Sequence, residues 1–234
     1  MNETSAILVL GSSSSLGISL TPRLAEAGFQ IYGTSRTGNG AVLAGDVGPQ
    51  LLQLDLSSDK SCESFVEKVE GLDYETVILL IGSLYLPWSN DQDSIATVRE
   101  YFEIFVSRYL WVVDRLIEGA VSTNLRILNI SSRAAIFGSF DQYYAATKSA
   151  MDKFLLSKCR TADGSLKALS VAPGLIEGSG MARHFDPEHL QSHRERADSQ
   201  LLDVDSAAKE LTTLLKTPNE LWDGRTITIG PVYN

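Results

Sequence analysis

Tyr144 and Lys148 stand four residues apart in the run Tyr143-Tyr144-Ala145-Ala146-Thr147-Lys148-Ser149-Ala150. On a helix that spacing stacks a phenol beside an ammonium. A fixed positive charge favours phenolate over phenol, so the lysine is expected to pull the tyrosine pKa down from about 10 toward the range of a working acid or base. A pair of this kind by itself is more often a half-buried aromatic beside a solvated lysine. The rest of the sequence supplies the context: a loop that could seat a charged ligand and a scaffold that gathers these residues.

Such a loop lies at Gly11-Ser12-Ser13-Ser14-Ser15-Leu16-Gly17, after the apolar run at 6–10 and at the start of a helical pattern. Small residues let the backbone approach a phosphate, serine hydroxyls donate hydrogen bonds, and the helix offers free N–H groups and the positive end of its dipole. A pyrophosphate suits it, although a Gly/Ser loop can also serve as a plain tight turn.

The scaffold is an alternation of strand and helix. Strands are expected at 6–10, 30–35, 51–54, 76–81, 126–130, 167–172 and 226–229. Helices are expected at roughly 16–28, 59–70, 92–118, 141–159 and 204–216. Continuous apolar runs such as Val77-Ile78-Leu79-Leu80-Ile81 suit strands covered on both faces. The order implies an α/β fold, a doubly wound parallel sheet of about seven strands with helices on both faces. Its ligand crevice lies at the carboxyl ends of the strands, where the strand order reverses. With no repeat and no linker, residues 1–234 are expected to form one domain.

Composition narrows the function. A chain of 234 residues, 44% hydrophobic and 21% charged, can bury a sizeable core. A net charge of −9 argues against a nucleic-acid or anionic-membrane surface and for a small-molecule partner. Cys62 and Cys159 lack metal-ligand spacing and read as packing residues in a reducing compartment. No apolar run approaches ~20 residues, so no membrane span is expected and the protein is read as cytoplasmic.

These signals together resemble the short-chain dehydrogenase/reductase family, over essentially the whole chain. They comprise the glycine-rich turn Gly11 to Gly17, Asp55 in Leu54-Asp55-Leu56-Ser57, the strand end Leu128-Asn129-Ile130-Ser131-Ser132 and the Tyr144/Lys148 pair. Val171-Ala172-Pro173-Gly174-Leu175-Ile176 follows, and Trp222 to Gly230 closes the chain. The resemblance implies a Rossmann-type fold and a nicotinamide cofactor exchanging hydride with a carbonyl or alcohol carbon. Ser132 would hydrogen-bond the substrate oxygen, Tyr144 would give or take its proton, and Lys148 would lower the tyrosine pKa and bind the nicotinamide ribose. Ser131 is the rival serine and Tyr143 the rival tyrosine. Gly11, Ser13, Ser14, Ser15, Leu16 and Gly17 would hold the pyrophosphate, Asp55 and Leu56 would face the adenine, and Gly82 and Ser83 would leave room for the ribose. Pro173, Gly174 and Ile176 would pack near the carboxamide.

Strand two ends Ile31-Tyr32-Gly33-Thr34-Ser35-Arg36, without an acid to bind a ribose diol. Arg36, helped by Ser35 or Thr34, could hold a 2′-phosphate instead, which favours NADP (NADPH) over NAD and a ketoreductase over an alcohol dehydrogenase.

Some positions depart from the family pattern. Ser15 replaces the second glycine of the turn, and Leu10 stands for the usual threonine. Leu80-Ile81-Gly82-Ser83 replaces Asn-Asn-Ala-Gly, and Gly230-Pro231 replaces Gly-Gly. No asparagine occurs between Asn90 and Asn124, so Phe105 or Ile104 stands where the family carries one that helps hold a water beside the lysine. That leaves open another water path, slow turnover, a dinucleotide-binding sensor or accessory protein, or a non-redox dehydratase or epimerase.

Residues 177–202 fall where the family carries its substrate lid, hinged at Glu177-Gly178-Ser179-Gly180. His189 and His193 share a helical face, but no third ligand accompanies them and no metal is expected. Arg133 could anchor an anionic substrate or form a surface ion pair, and Tyr85, Leu86, Pro87 and Trp88 could line a pocket. Surplus apolar residues at 98–118 and 143–159 suggest a subunit interface, and the family forms homodimers and homotetramers through these elements.

Overall fold

The computed structural model describes residues 5–38, 50–82, 94–139, 141–196 and 201–230. Its strands are β1 (Ala6–Leu10), β2 (Gln30–Ser35), β3 (Gln50–Gln53), β4 (Thr76–Leu79), β5 (Leu125–Ile130), β6 (Leu166–Pro173), β7 (Ile176–Glu177), β8 (Leu202–Asp203) and β9 (Asp223–Ile229). Seven of them form an all-parallel sheet in the order β3-β2-β1-β4-β5-β6-β9, and β7 pairs with β8 separately. The fold is the expected Rossmann-type α/β sheet.

The helices are α1 (Ser15–Glu26), α2 (Asp59–Val69), α3 (Ile95–Phe102), α4 (Tyr109–Glu118), α5 (Arg133–Phe137), α6 (Gln142–Thr161), α7 (Pro187–Arg196) and α8 (Val204–Leu214). Every residue of β1 and β4 is buried, as the continuous apolar runs require. Period-two alternation then divides the core. Leu8, Leu10, Val77 and Leu79 pack with Phe65, Val112 and Leu155 of α2, α4 and α6. Ile7, Val9 and Ile78 pack on the other face with Leu20, Leu24 and Leu211 of α1 and α8. Each such side chain contributes about 1.5–3 kcal/mol by leaving water.

Local chemistry sets the helix starts. Ser14 Oγ accepts from the Gly17 amide at 3.0 Å, Ser58 Oγ from Ser61 at 3.3 Å, Asp141 Oδ1 from Tyr144 at 2.9 Å and Asp203 Oδ1 from Ser206 at 2.8 Å. The last strand is pinned from the side. The Arg126 guanidinium lies 3.9 Å over the buried Trp222 ring and donates to Leu215 O at 2.8 Å.

Three details differ from the sequence expectation. The helix expected at 92–118 is interrupted by a π-helical turn, Glu103–Arg108, between α3 and α4. Tyr101 and Tyr109 would sit about 80° apart on a regular helix, and the wider turn lets both be buried. β4 ends at Leu79 rather than 81, because after Leu80 donates to Leu10 O at 2.9 Å the chain leaves the ladder. Helix α5 and the β7–β8 ladder lie outside the expected elements because both are too short for periodicity to reveal, whereas α7 matches the helical spacing of positions 189 and 193.

β1 lies between β2 and β4, so the strand order reverses there and a crevice opens at their carboxyl ends. Gly11 follows β1, Gly82 follows β4, Ser131 and Ser132 follow β5, and Gly174 follows β6. The sheet thus delivers most of the expected site residues to one edge.

Candidate active site

The loop after β1 is tightly built. Gly11 has φ +91°, its amide donates to Thr34 Oγ1 at 2.9 Å, and Ser12 Oγ donates to Thr34 O at 3.0 Å. A Cβ on Gly17 would meet Ser12 O at 2.5 Å and Gly11 O at 2.6 Å, so only glycine lets α1 begin this close to the turn. The first-turn amides of Ser15 and Leu16 have no intrahelical acceptor, and Ser13 is exposed beside them. This cradle of small residues at a helix N-terminus fits a dinucleotide's pyrophosphate.

Thr34 is a correction. Its side chain is buried and committed to the Gly11 amide, so it braces the turn and cannot help Arg36 with a phosphate. Ser35 is buried as well. Arg36 is exposed at the end of β2, and its charge helps to lower the Asp55 pKa. Hydrogen bonds from the Ser57 hydroxyl at 2.7 Å and amide at 3.0 Å do more to hold that carboxyl down. Leu56 is buried.

The polar centre lies where β5 meets α5 and α6. Ser149 Oγ donates to Ala135 O at 2.9 Å and ties α5 to α6. Ser132 caps α5, its Oγ accepting from the Ala134 amide at 3.2 Å, and its hydroxyl hydrogen-bonds the buried Tyr144 phenol. Lys148 Nζ donates to Ile130 O at 2.9 Å. A Cβ on Gly82 would lie 3.5 Å from that ammonium, so the glycine keeps the space beside it clear. Ser132, Tyr144, Lys148 and Gly82 are therefore brought together.

The two rivals are occupied elsewhere. Ser131 Oγ donates to Asp152 Oδ2 at 2.6 Å, and Tyr143 packs edge-on against Phe102 at 6.3 Å. Asp152 also accepts from Asn129 Nδ2 at 3.0 Å, and the same nitrogen donates to Ser170 Oγ at 3.1 Å. This buried network under the lysine was missed in the sequence. The four-residue step from Tyr144 to Lys148 continues to Asp152 and could have revealed it.

The electrostatics correct one expectation. Burial pushes the Tyr144 phenol above its ordinary value, the Ser132 hydrogen bond works against this, and Asp141 adds to the rise. The lysine does not pull it down; its ammonium is directed at Ile130 O. Lys148 is itself lowered to about 8 by burial, with the Asp152 charge opposing the fall.

Pro173 and Ile176 are buried and Gly174 is half-buried at the end of β6. Ile176 pairs with Leu202, which fixes the two ends of the expected lid, and α7 lies between them. Glu177 forms an ion pair with Arg194 of α7. His193 lies against Phe185, with ring centroids 5.3 Å apart. Arg133 stacks over Phe137 at 5.5 Å. Among the described residues no group of three or more His, Cys, Asp or Glu is arranged to hold a metal, and no helix is long and apolar enough to cross a membrane. Ser83, Tyr85, Leu86, Pro87, Trp88 and Pro231 lie outside the described residues, as does the side chain of His189.

Comparison with known proteins agrees with this geometry. The chain is 24% identical over 210 residues to a probable NADP-dependent dehydrogenase of Haemophilus influenzae, covering 84% of this chain and 82% of that one. The fold matches 3-ketoacyl-(acyl-carrier-protein) reductase from Brucella melitensis, solved with NADH, at a TM-score of 0.82, with 18% identity and 98% of each chain covered. It also matches RhlG of Pseudomonas aeruginosa, solved as an NADP active-site complex, at a TM-score of 0.81, with 19% identity over 96% of this chain and 94% of that one. The short chain dehydrogenase family model matches residues 5–189. The chain belongs to the short-chain dehydrogenase/reductase family of NAD(P)-dependent oxidoreductases.

Proposed function

We propose that the protein is an NADPH-dependent carbonyl reductase acting on a small-molecule ketone or aldehyde. The observation that carries this reading is the Ser132 hydroxyl on the Tyr144 phenol, with the Lys148 ammonium beside Gly82. Ser132 and Tyr144 present two hydroxyls to one substrate oxygen; the tyrosine gives its proton and the serine holds the oxygen in line. The reduced nicotinamide, when bound, supplies the hydride. Gly11, Ser13, Ser14, Ser15, Leu16 and Gly17 would take the pyrophosphate, Asp55 and Leu56 the adenine, and Gly82, Ser83 and Lys148 the nicotinamide ribose. Pro173, Gly174 and Ile176 would flank the carboxamide.

Arg36 favours NADPH. It is the exposed cation at the end of β2, where an acid would repel a 2′-phosphate. The Haemophilus relative is named NADP-dependent and RhlG was solved with NADP, whereas the Brucella reductase was solved with NADH. A homodimer or homotetramer is part of the same reading, supported by Trp111, 41% exposed on α4.

Parallel calorimetric titrations with NADPH and NADH, followed by a carbonyl panel read as NADPH oxidation, test the proposal. Tighter binding of NADPH by about tenfold, lost in Arg36→Ala, supports it. A preference for NADH removes the Arg36 argument, and the absence of any dinucleotide binding removes the redox reading.

A further inference from the structure

A small cavity beside Lys148 is not used by this reading. It is lined by Ile81, Phe105, Tyr109, Asn129, Thr147, Lys148 and Met151, and it admits the centre of about one water, roughly 10 Å³. Its walls carry unusual polar groups. Among the described residues the buried Tyr109 hydroxyl has no partner in full hydrogen-bond geometry; the Ile81 amide is the donor that acts on it. A buried phenol left in this condition is costly, so a partner is expected. Both protons of Asn129 Nδ2 go to Asp152 and Ser170, leaving its carbonyl oxygen for the cavity. Lys148 has three donors and one is given to Ile130 O.

We propose that Tyr109 and Asn129 hold an ordered water in this cavity, and that the water accepts a hydrogen bond from the Lys148 ammonium. Tyr109 is then a positioning residue that keeps the lysine solvated and charged. It stands on α4, where Phe105, on the preceding turn, offers only an apolar wall. The π-helical turn at Glu103–Arg108 is what rotates Tyr109 inward. Asp152 from α6 acts on Lys148 through its charge, and Tyr109 from α4 and the neutral Asn129 from β5 line the same cavity as the ammonium's side chain. The role in turnover rests on the proposed function; the water site does not.

The test needs no substrate. Lysine labelled with ¹³C at Cε reports the titration of Lys148 directly, its signal assigned by loss in Lys148→Arg. Tyr109→Phe removes the hydroxyl and is expected to move the Lys148 pKa down by about half a unit or more, because the charged form loses a partner. Phe105→Asn in the same background supplies an amide to the cavity and is expected to move it back. An unchanged Lys148 titration in folded Tyr109→Phe protein overturns the inference. If that variant does not fold, a high-resolution crystal structure of the unsubstituted protein decides the matter. A water bonded to both Tyr109 Oη and Lys148 Nζ upholds the proposal, and a dry cavity overturns it. Tyr144→Phe separates the two ideas: turnover that survives it sinks the proposed function and leaves the Lys148 titration as it was read.

Discussion

Ser131 donates its hydroxyl to the buried carboxylate of Asp152 at 2.6 Å, while its neighbour Ser132 reaches the Tyr144 phenol. Adjacent serines on an extended chain point to opposite sides, and here one side is the core and the other the crevice.

The two serines should therefore respond differently to removal. Ser131→Ala strips a donor from a buried carboxylate and is expected to cost about 1–3 kcal/mol of stability. Ser132→Ala removes the cap of the short α5 and is expected to cost about 0.5–1 kcal/mol, while lowering kcat by about 10²-fold. Thermal melts beside turnover measurements distinguish them, and reversed outcomes would assign the active serine to position 131.

Lys148 sets a pH limit. Tyr144 is pushed up by burial and stays protonated, whereas Lys148 loses its charge near pH 8. Reductive turnover is expected to fall above about pH 8, read as the alkaline limb of a kcat profile. Stability should move the opposite way. An unfolded lysine titrates near 10.4, so between about 8 and 10.4 the folded state has released a proton that the unfolded state keeps. The lysine's contribution therefore rises with pH across that window and is flat below it. Urea melts at several pH values, compared with Lys148→Met, check this; a contribution that falls across the window contradicts it.

Gly17→Ala places a methyl within 2.6 Å of two backbone carbonyl oxygens, Gly11 O and Ser12 O. Neither can swing aside as a side chain would, so the turn must open. NADPH affinity is expected to drop by about tenfold or more, with a stability loss of about 1–3 kcal/mol. Calorimetry with full NADPH affinity in this variant would place the pyrophosphate elsewhere.

Much of this arrangement is legible before any coordinates. Strands covered on both faces leave continuous apolar runs, so β1 and β4 declare themselves, and the order of elements then fixes where the crevice opens. Tyr144 and Lys148 announce themselves by helical spacing. The tyrosine's electrostatics do not, because i,i+4 spacing says nothing about burial or about Lys148 turning toward Ile130. Thr34 reads as a phosphate ligand in a strand-end motif, and only its bond to the Gly11 amide reveals a brace. The Asn129–Asp152–Ser131 network joins residues up to 23 positions apart, and a π-helical turn shifts Tyr109 out of the phase a regular helix predicts. Those facts depend on tertiary packing.

The most direct test is Tyr144→Phe, with NADPH binding and NADPH-dependent carbonyl turnover measured on the same preparation. The expected result is binding within about twofold of the unsubstituted protein and turnover lower by about 10²–10⁴-fold, since a phenyl ring fills the same space without a proton to give. Turnover that persists near its original rate would contradict the assignment of Tyr144 as the acid and, with it, the proposed chemistry of this site.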